Sequence, residues 1–206
     1  MGKMTLEEVN NMYLDVLREL GNIGAGNATS AIANMLGMKM DMHVPSIRLM
    51  EVSKLGMAIG EEDETIVGIF LEVEKDINGS MMFLMEIPSA RYLVNKLMMQ
   101  DTSADTPFGE MELSALKEIG NIIAGSYLSA LSSLTNLVIL PSIPYIAVDM
   151  AASILSVPAI EFGQYGDNAL LIQTEICADI EINGYFILMP EQDSYEKILT
   201  ALGIVL

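Results

Sequence analysis

The chain has 206 residues, 51% of them apolar and 18% charged, which is the composition of a core-forming globular protein and excludes a disordered one. Its 28 acidic residues against 10 basic ones leave a net charge of −18, which argues against any partner presenting a nucleic-acid backbone or an anionic lipid surface. One cysteine, Cys177, excludes an internal disulfide, and a single histidine, His43, gives a zinc site no ligand set, so no metal or cofactor of its own is expected.

The opening MGKMTLEEVNN has no apolar signal-peptide centre. Leu6, Val9, Tyr13, Val16, Leu17 and Leu20 fall in one sector at roughly 100° per residue, which predicts an amphipathic helix over 5–20. Asp15, Glu19 and Asn22, spaced i, i+4, i+7, group within roughly 60° of one another on the opposite side, toward solvent. Gly21, Gly24 and Gly26 follow and admit two readings: a phosphate-cradling loop, or glycines that let the chain turn or pack before a second helix. The Met-rich run at 35–42 reads as core filler and strand surface, and Pro45 as shaping the start of a strand. SKLGMAIG at 53–60 suggests short helical turns, Asn78-Gly79 a two-residue hairpin, and 89–98 a helix. QDTSADTP, beginning at Gln100, supplies linker and helix-start residues.

From there the chain repeats itself. Glu19-Leu20-Gly21-Asn22-Ile23 recurs 99 residues later as Glu118-Ile119-Gly120-Asn121-Ile122, and the same offset pairs Ala25-Gly26 with Ala124-Gly125 and Pro45 with Pro144. Ser114, Glu118 and Asn121 take the polar positions of this second helix, with Leu113, Leu116 and Ile119 in core-facing slots. The apolar stretch near 134–160 is broken by Pro141, Pro144, Asp149 and Pro158, so no membrane insertion is expected, and a cytoplasmic address fits. AASILSVP (151–158) suggests helical turns, Asn183-Gly184 a second hairpin, and 192–202 a closing helix. The expected architecture is α+β: two tandem repeats, about 5–100 and about 106–206 of a single domain spanning 1–206, sharing an antiparallel sheet flanked by long helices with pseudo-two-fold symmetry.

Duplication discriminates between the two readings of the glycines. Gly24 becomes Ile123 in the second copy, which would spoil a phosphate loop, whereas Glu and Asn, three residues apart, persist together with a proline after 22 intervening residues. A solvated helix face would tolerate any polar residue at these positions.

Both copies carry D/S-x-x-x-E-x-x-N followed, after 22 intervening residues, by P: Asp15, Glu19, Asn22 and Pro45, then Ser114, Glu118, Asn121 and Pro144. In this the chain resembles the CheC/CheX/FliY family of chemotaxis response-regulator phosphatases, over essentially its full length. The resemblance implies hydrolysis of the aspartyl phosphate of the response regulator CheY. It makes Asn22 and Asn121 the residues that orient the attacking water, and Glu19 and Glu118 contacts to a lysine of the regulator. Asp15, Ser114, Pro45 and Pro144 are supporting residues, and Mg²⁺ belongs to the bound regulator. The resemblance also implies a regulatory interaction with the receptor deamidase CheD. The internal duplication suggests a monomer. A non-enzymatic binding module for CheY or CheD is the alternative.

Overall fold

A computed structural model describes residues 6–59, 63–161 and 168–203, with side chains described for 15–59, 63–157, 160 and 169–203. Leu6, Val9 and Tyr13 of the expected apolar stripe therefore lie outside the described side chains. In chain order the elements are α1 (Leu6–Leu36), β1 (Asp41–Glu51), a 3-10 turn (Val52–Lys54) running into α2 (Leu55–Ile59), β2 (Thr65–Lys75), β3 (Gly79–Glu86) and α3 (Ile87–Met98). After the linker come α4 (Glu110–Thr135), β4 (Ile139–Pro141), β5 (Tyr145–Met150), α5 (Ala151–Glu161), β6 (Asn168–Cys177), β7 (Glu181–Pro190) and α6 (Gln192–Ala201).

The strands form one seven-stranded antiparallel sheet in the order β1-β6-β7-β3-β2-β4, with β5 also paired to β2. Two hairpins, β2–β3 and β6–β7, meet at the centre through β3 and β7. Met82 faces Ile187 in that central pairing. These two residues differ by 105 in number, as do Gly79 and Gly184, so the pseudo-two-fold axis passes through the Met82–Ile187 pair. Outside each hairpin lies a strand from the other half of the chain: β1 pairs with β6, and β4 and β5 pair with β2.

Strand alternation gives the sheet two apolar faces. Ile69, Leu71, Phe83, Ile172 and Phe186 point to the side covered by α1 and α4, with α3 and α6 at its margins. Phe70, Met82, Leu84, Leu171 and Ile187 point to the other side, covered by α2 and α5 through Leu55, Ile154 and Leu155. Both long helices thus lie on one face of the sheet.

Two local expectations are corrected. The reading of two helices before the first strand gives way to one unbroken helix, α1, which runs through Gly21, Gly24 and Gly26. Gly21 and Gly24 serve close packing, as does Gly120 of α4, whereas Gly26 has open space around it. A Cβ on Gly24 would meet the Tyr127 ring at 2.6 Å, and one on Gly120 would meet Ile69 at 2.6 Å. The hairpin turns also differ from the expected two-residue turns. Asn183-Gly184 lies inside β7, paired with Glu175 and Thr174, and the turn falls at Ala178–Ile180. Gly184 is needed because a Cβ there would press on the Phe83 ring at 2.9 Å. Likewise β2 and β3 close at Val73–Gly79 around a longer loop, and Gly79 lies 2.4 Å, measured from its would-be Cβ, from the Met189 carbonyl oxygen.

Candidate functional site

Each candidate set rides on a helix whose opposite side is fixed in the core. On α1, Leu17, Leu20, Gly21, Gly24, Ala25 and Ala28 are buried, while Asp15, Glu19 and Asn22 are exposed. On α4, Leu116, Ile119, Gly120, Ile123 and Ala124 are buried, Ser114 and Glu118 are exposed, and Asn121 is partly exposed. The amphipathic spacing accounts for this directly, because residues three, four and seven apart share a face.

The glycine before Asn22 brings the proline-bearing strand β1 alongside, and the one before Asn121 packs on β2. A Cβ on Gly21 would lie 2.9 Å from Ile47 and 3.3 Å from Val44, the residues that flank Pro45 and Ser46 in β1. Helix and strand therefore touch one residue from Asn22. Gly120 sits against Ile69, whose ladder partner is Ile146, two residues beyond Pro144. Both prolines interrupt their strands: the β1–β6 register shifts between His43 and Ser46, and Pro144 falls in the gap between β4 and β5. A proline has no N–H for the ladder, so a break at this point is its structural consequence.

Among the described residues, no hydrogen bond or ion pair engages the side chains of Glu19, Asn22, Glu118 or Asn121. Asp15 differs: Arg18 donates to its carboxylate at 2.7 Å, with both side chains largely in solvent. Arg18 and its counterpart Lys117 stand one helical turn before the two asparagines. The signature does not include this position, although a basic residue precedes glutamate in both copies, and that recurrence is the signal by which it could be found.

Among the described residues the site is a pair of helix faces. Of two open clefts, one is lined by α1 residues from Gly26 onward and by Met38–Met42, and the other by Thr65, Ala104–Phe108, Leu113 and Val148. Neither is lined by Glu19, Asn22, Glu118 or Asn121. Among the described residues there is no group of three or more His, Cys, Asp or Glu that could hold a metal ion, and no helix is long and apolar enough to cross a membrane. The phosphate-loop reading of Gly21–Gly26 fails on the geometry, since backbone N–H groups in mid-helix are committed to helical hydrogen bonds.

What such a face can do is reach into another molecule. A carboxamide offers an acceptor and two donors, a carboxylate offers acceptors alone, and neither has to break an internal bond to engage a partner.

Comparison with known proteins bears on these two segments. The model of the CheC-like family matches residues 12–48 and 111–146, stretches that contain all eight signature positions. The chain is 39% identical over 200 residues to the CheY-P phosphatase CheC of Bacillus subtilis, covering 95% of this chain and 96% of that one. Its fold is similar to that of Thermotoga maritima FliY, with a TM-score of 0.75 at 18% identity over 98% of each chain. It is also similar to a CheX from Borrelia burgdorferi solved in complex with CheY, BeF3 and Mg²⁺, with a TM-score of 0.52 at 20% identity over 82% of this chain and 96% of that one.

Proposed function

The chain belongs to the CheC-like family, and on that premise we propose that it hydrolyses the aspartyl phosphate of a CheY-type response regulator. The observation that carries the reading is the duplicated Glu–Asn pair, at least partly exposed on two helix faces and without a hydrogen bond or ion pair among the described residues. A small substrate would need a concave site to exclude water and fix its orientation. A protein substrate that brings its own phosphoryl pocket needs only a projecting group inserted into it. The CheX complex with CheY and BeF3, a stand-in for the phosphoryl group, supports a partner of this kind.

In this mechanism Asn22, or Asn121 in the second site, enters the regulator's pocket. Its amide oxygen accepts from a water, and its NH₂ donates to a phosphoryl oxygen, holding the water in line with phosphorus. The water oxygen bonds to phosphorus, the bond from phosphorus to the aspartate oxygen breaks, and the carboxylate leaves with its electron pair. The water's proton passes to the phosphate released. An acyl phosphate already has a good leaving group, so positioning and charge shielding make up most of the task. A neutral amide brings no negative charge to the anionic transition state. Glu19 and Glu118 sit one turn earlier and suit a lysine at the rim of the regulator's pocket. Mg²⁺ would be held by the regulator's own carboxylates.

Binding to CheD belongs to the same proposal, with the family resemblance as its support, as does a cytoplasmic location. Release of inorganic phosphate from phosphorylated CheY, measured with and without the purified chain, is the test. Acceleration in proportion to chain concentration is expected, and an unchanged rate would reduce the protein to a binding module.

A further inference from the structure

The two copies of the signature are not electrostatically equal. Arg18 and Lys117 occupy the same position, 99 residues apart, four residues before Asn22 and Asn121 respectively. On a helix this makes each cation the direct neighbour of the asparagine on its N-terminal side. Position 15 decides what that cation does. In the first copy Asp15 lies three residues before Arg18 and holds its guanidinium at 2.7 Å. The second copy has Ser114 in that place, and Lys117 has no hydrogen bond or ion pair among the described residues. Its other helix-face neighbours, Leu113 and Gly120, carry no charge.

We propose that Lys117 and Arg18 are recruiting residues for the phosphorylated regulator, and that the Asp15 ion pair attenuates the first site, so the second site captures its substrate at lower concentration. The proposal rests on the phosphatase reading above. A phosphorylated aspartate site is strongly anionic, and this chain, with a net charge of −18, is otherwise repulsive to it. A cation one turn from the inserted asparagine is therefore placed to offset that repulsion locally. In the first site the same positive charge is cancelled by a carboxylate 2.7 Å away and directed toward the N-terminal side of the helix. The second site keeps an ammonium with no carboxylate partner among the described residues. Both cations flank the reacting atoms and do not take part in the bond changes, so their effect should fall on KM and not on kcat.

Steady-state phosphate release from Mg²⁺-bound CheY charged with a small phosphodonor separates the two sites when each is silenced in turn. Asn22→Ala leaves the second site alone, and Asn121→Ala leaves the first. The expected result is a KM roughly two- to fivefold lower for the Asn22→Ala chain, the range expected of one exposed charge pair, with a difference that shrinks as salt rises. Adding Ser114→Asp or Lys117→Met to Asn22→Ala should raise KM by about that factor at unchanged kcat, Lys117→Arg should restore it, and adding Asp15→Ser to Asn121→Ala should lower it. Equal KM values in the two single-site chains, or values unmoved by these charge changes, would overturn the proposal alone. Parental activity in an Asn22→Ala, Asn121→Ala chain would overturn the phosphatase reading, and the proposal with it.

Discussion

Glu112 holds the joint between the halves together. In the first turn of α4 its carboxylate accepts from the Gly109 N–H at 2.7 Å, from the Gln100 amide at 2.7 Å, and from Arg91, which is buried in α3. The Arg91 guanidinium also lies over the Phe108 ring at 4.0 Å and donates to the Thr106 carbonyl at 2.6 Å. Removing one partner of a buried ion pair leaves the other uncompensated, so Glu112→Ala should cost about 3–5 kcal/mol in denaturant unfolding. The Gly109 N–H, and after it the charge of Arg91, hold the Glu112 carboxyl below the usual carboxylate range against the opposing effect of its burial. A carboxyl whose folded pKa is lowered contributes stability above its unfolded value and loses it as pH falls through the folded one. Glu112→Gln should therefore flatten the loss of stability below about pH 4.5, measured by unfolding midpoints across that range. Nothing in the sequence marks this network, because Arg91 and Glu112 belong to different repeats and have no counterpart at the shared offset. The amphipathic placement of Glu19, Asn22, Glu118 and Asn121 was legible from spacing alone.

At the scale of elements, glycines caused the misreadings and also provide the sharpest tests. A glycine can mark a turn or a close approach, and sequence does not distinguish them. In α1 and α4 close approach holds at some glycines and not at others: a Cβ on Gly24 would enter the Tyr127 ring, whereas one on Gly26 or Gly125 would meet nothing within 4 Å. Helix propensity favours alanine over glycine by about 1 kcal/mol at any of these positions, so packing decides the sign. Gly26→Ala and Gly125→Ala should each stabilise by about 0.5–1 kcal/mol, and Gly24→Ala should destabilise by about 1–3 kcal/mol despite the same gain in propensity. Thermal unfolding of the three variants checks this. The Asn-Gly pairs misled for the same reason: in β7 the glycine accommodates Phe83, and the turn is made by the residues before the strand. The continuous helix is not legible locally, because three glycines within six residues disfavour it and only tertiary packing recovers it.

The whole molecule is built by exchange. Each central hairpin takes its outer strand from the other half of the chain, β1 on β6 and β5 on β2, and lysines brace the turns across the same boundary. Lys96 of α3 holds Asp179 in the β6–β7 turn at 2.7 Å, and Lys197 of α6 donates to the Asp76 carbonyl in the β2–β3 loop at 3.2 Å. With a sheet shared in this way the chain should unfold in one calorimetric transition, and residues 1–104 alone should not yield a folded monomer. Two transitions, or a compact half-length monomer in sedimentation, would contradict the arrangement. The duplication and the α+β class could be read from the sequence because they rest on offset and periodicity. The exchange could not, because strand order depends on contacts between residues far apart in the chain, Phe70 with Tyr145 and Asp41 with Cys177 among them.

The full chain is itself expected to sediment as a monomer, its two signature helices presenting separate faces to the regulator. That expectation matters because each site should work without the other. Asn22→Ala and Asn121→Ala should each leave the remaining site's share of the activity, with folding unaffected, since substitutions on an exposed helix face usually shift stability by no more than ~0.5 kcal/mol. The most direct measurement is phosphate release from phosphorylated CheY by the Asn22→Ala, Asn121→Ala double variant. A fall toward the regulator's own rate is predicted, because loss of a transition-state positioning group typically costs ~10²–10³ in rate. A folded double variant that turned over at the parental rate would contradict it.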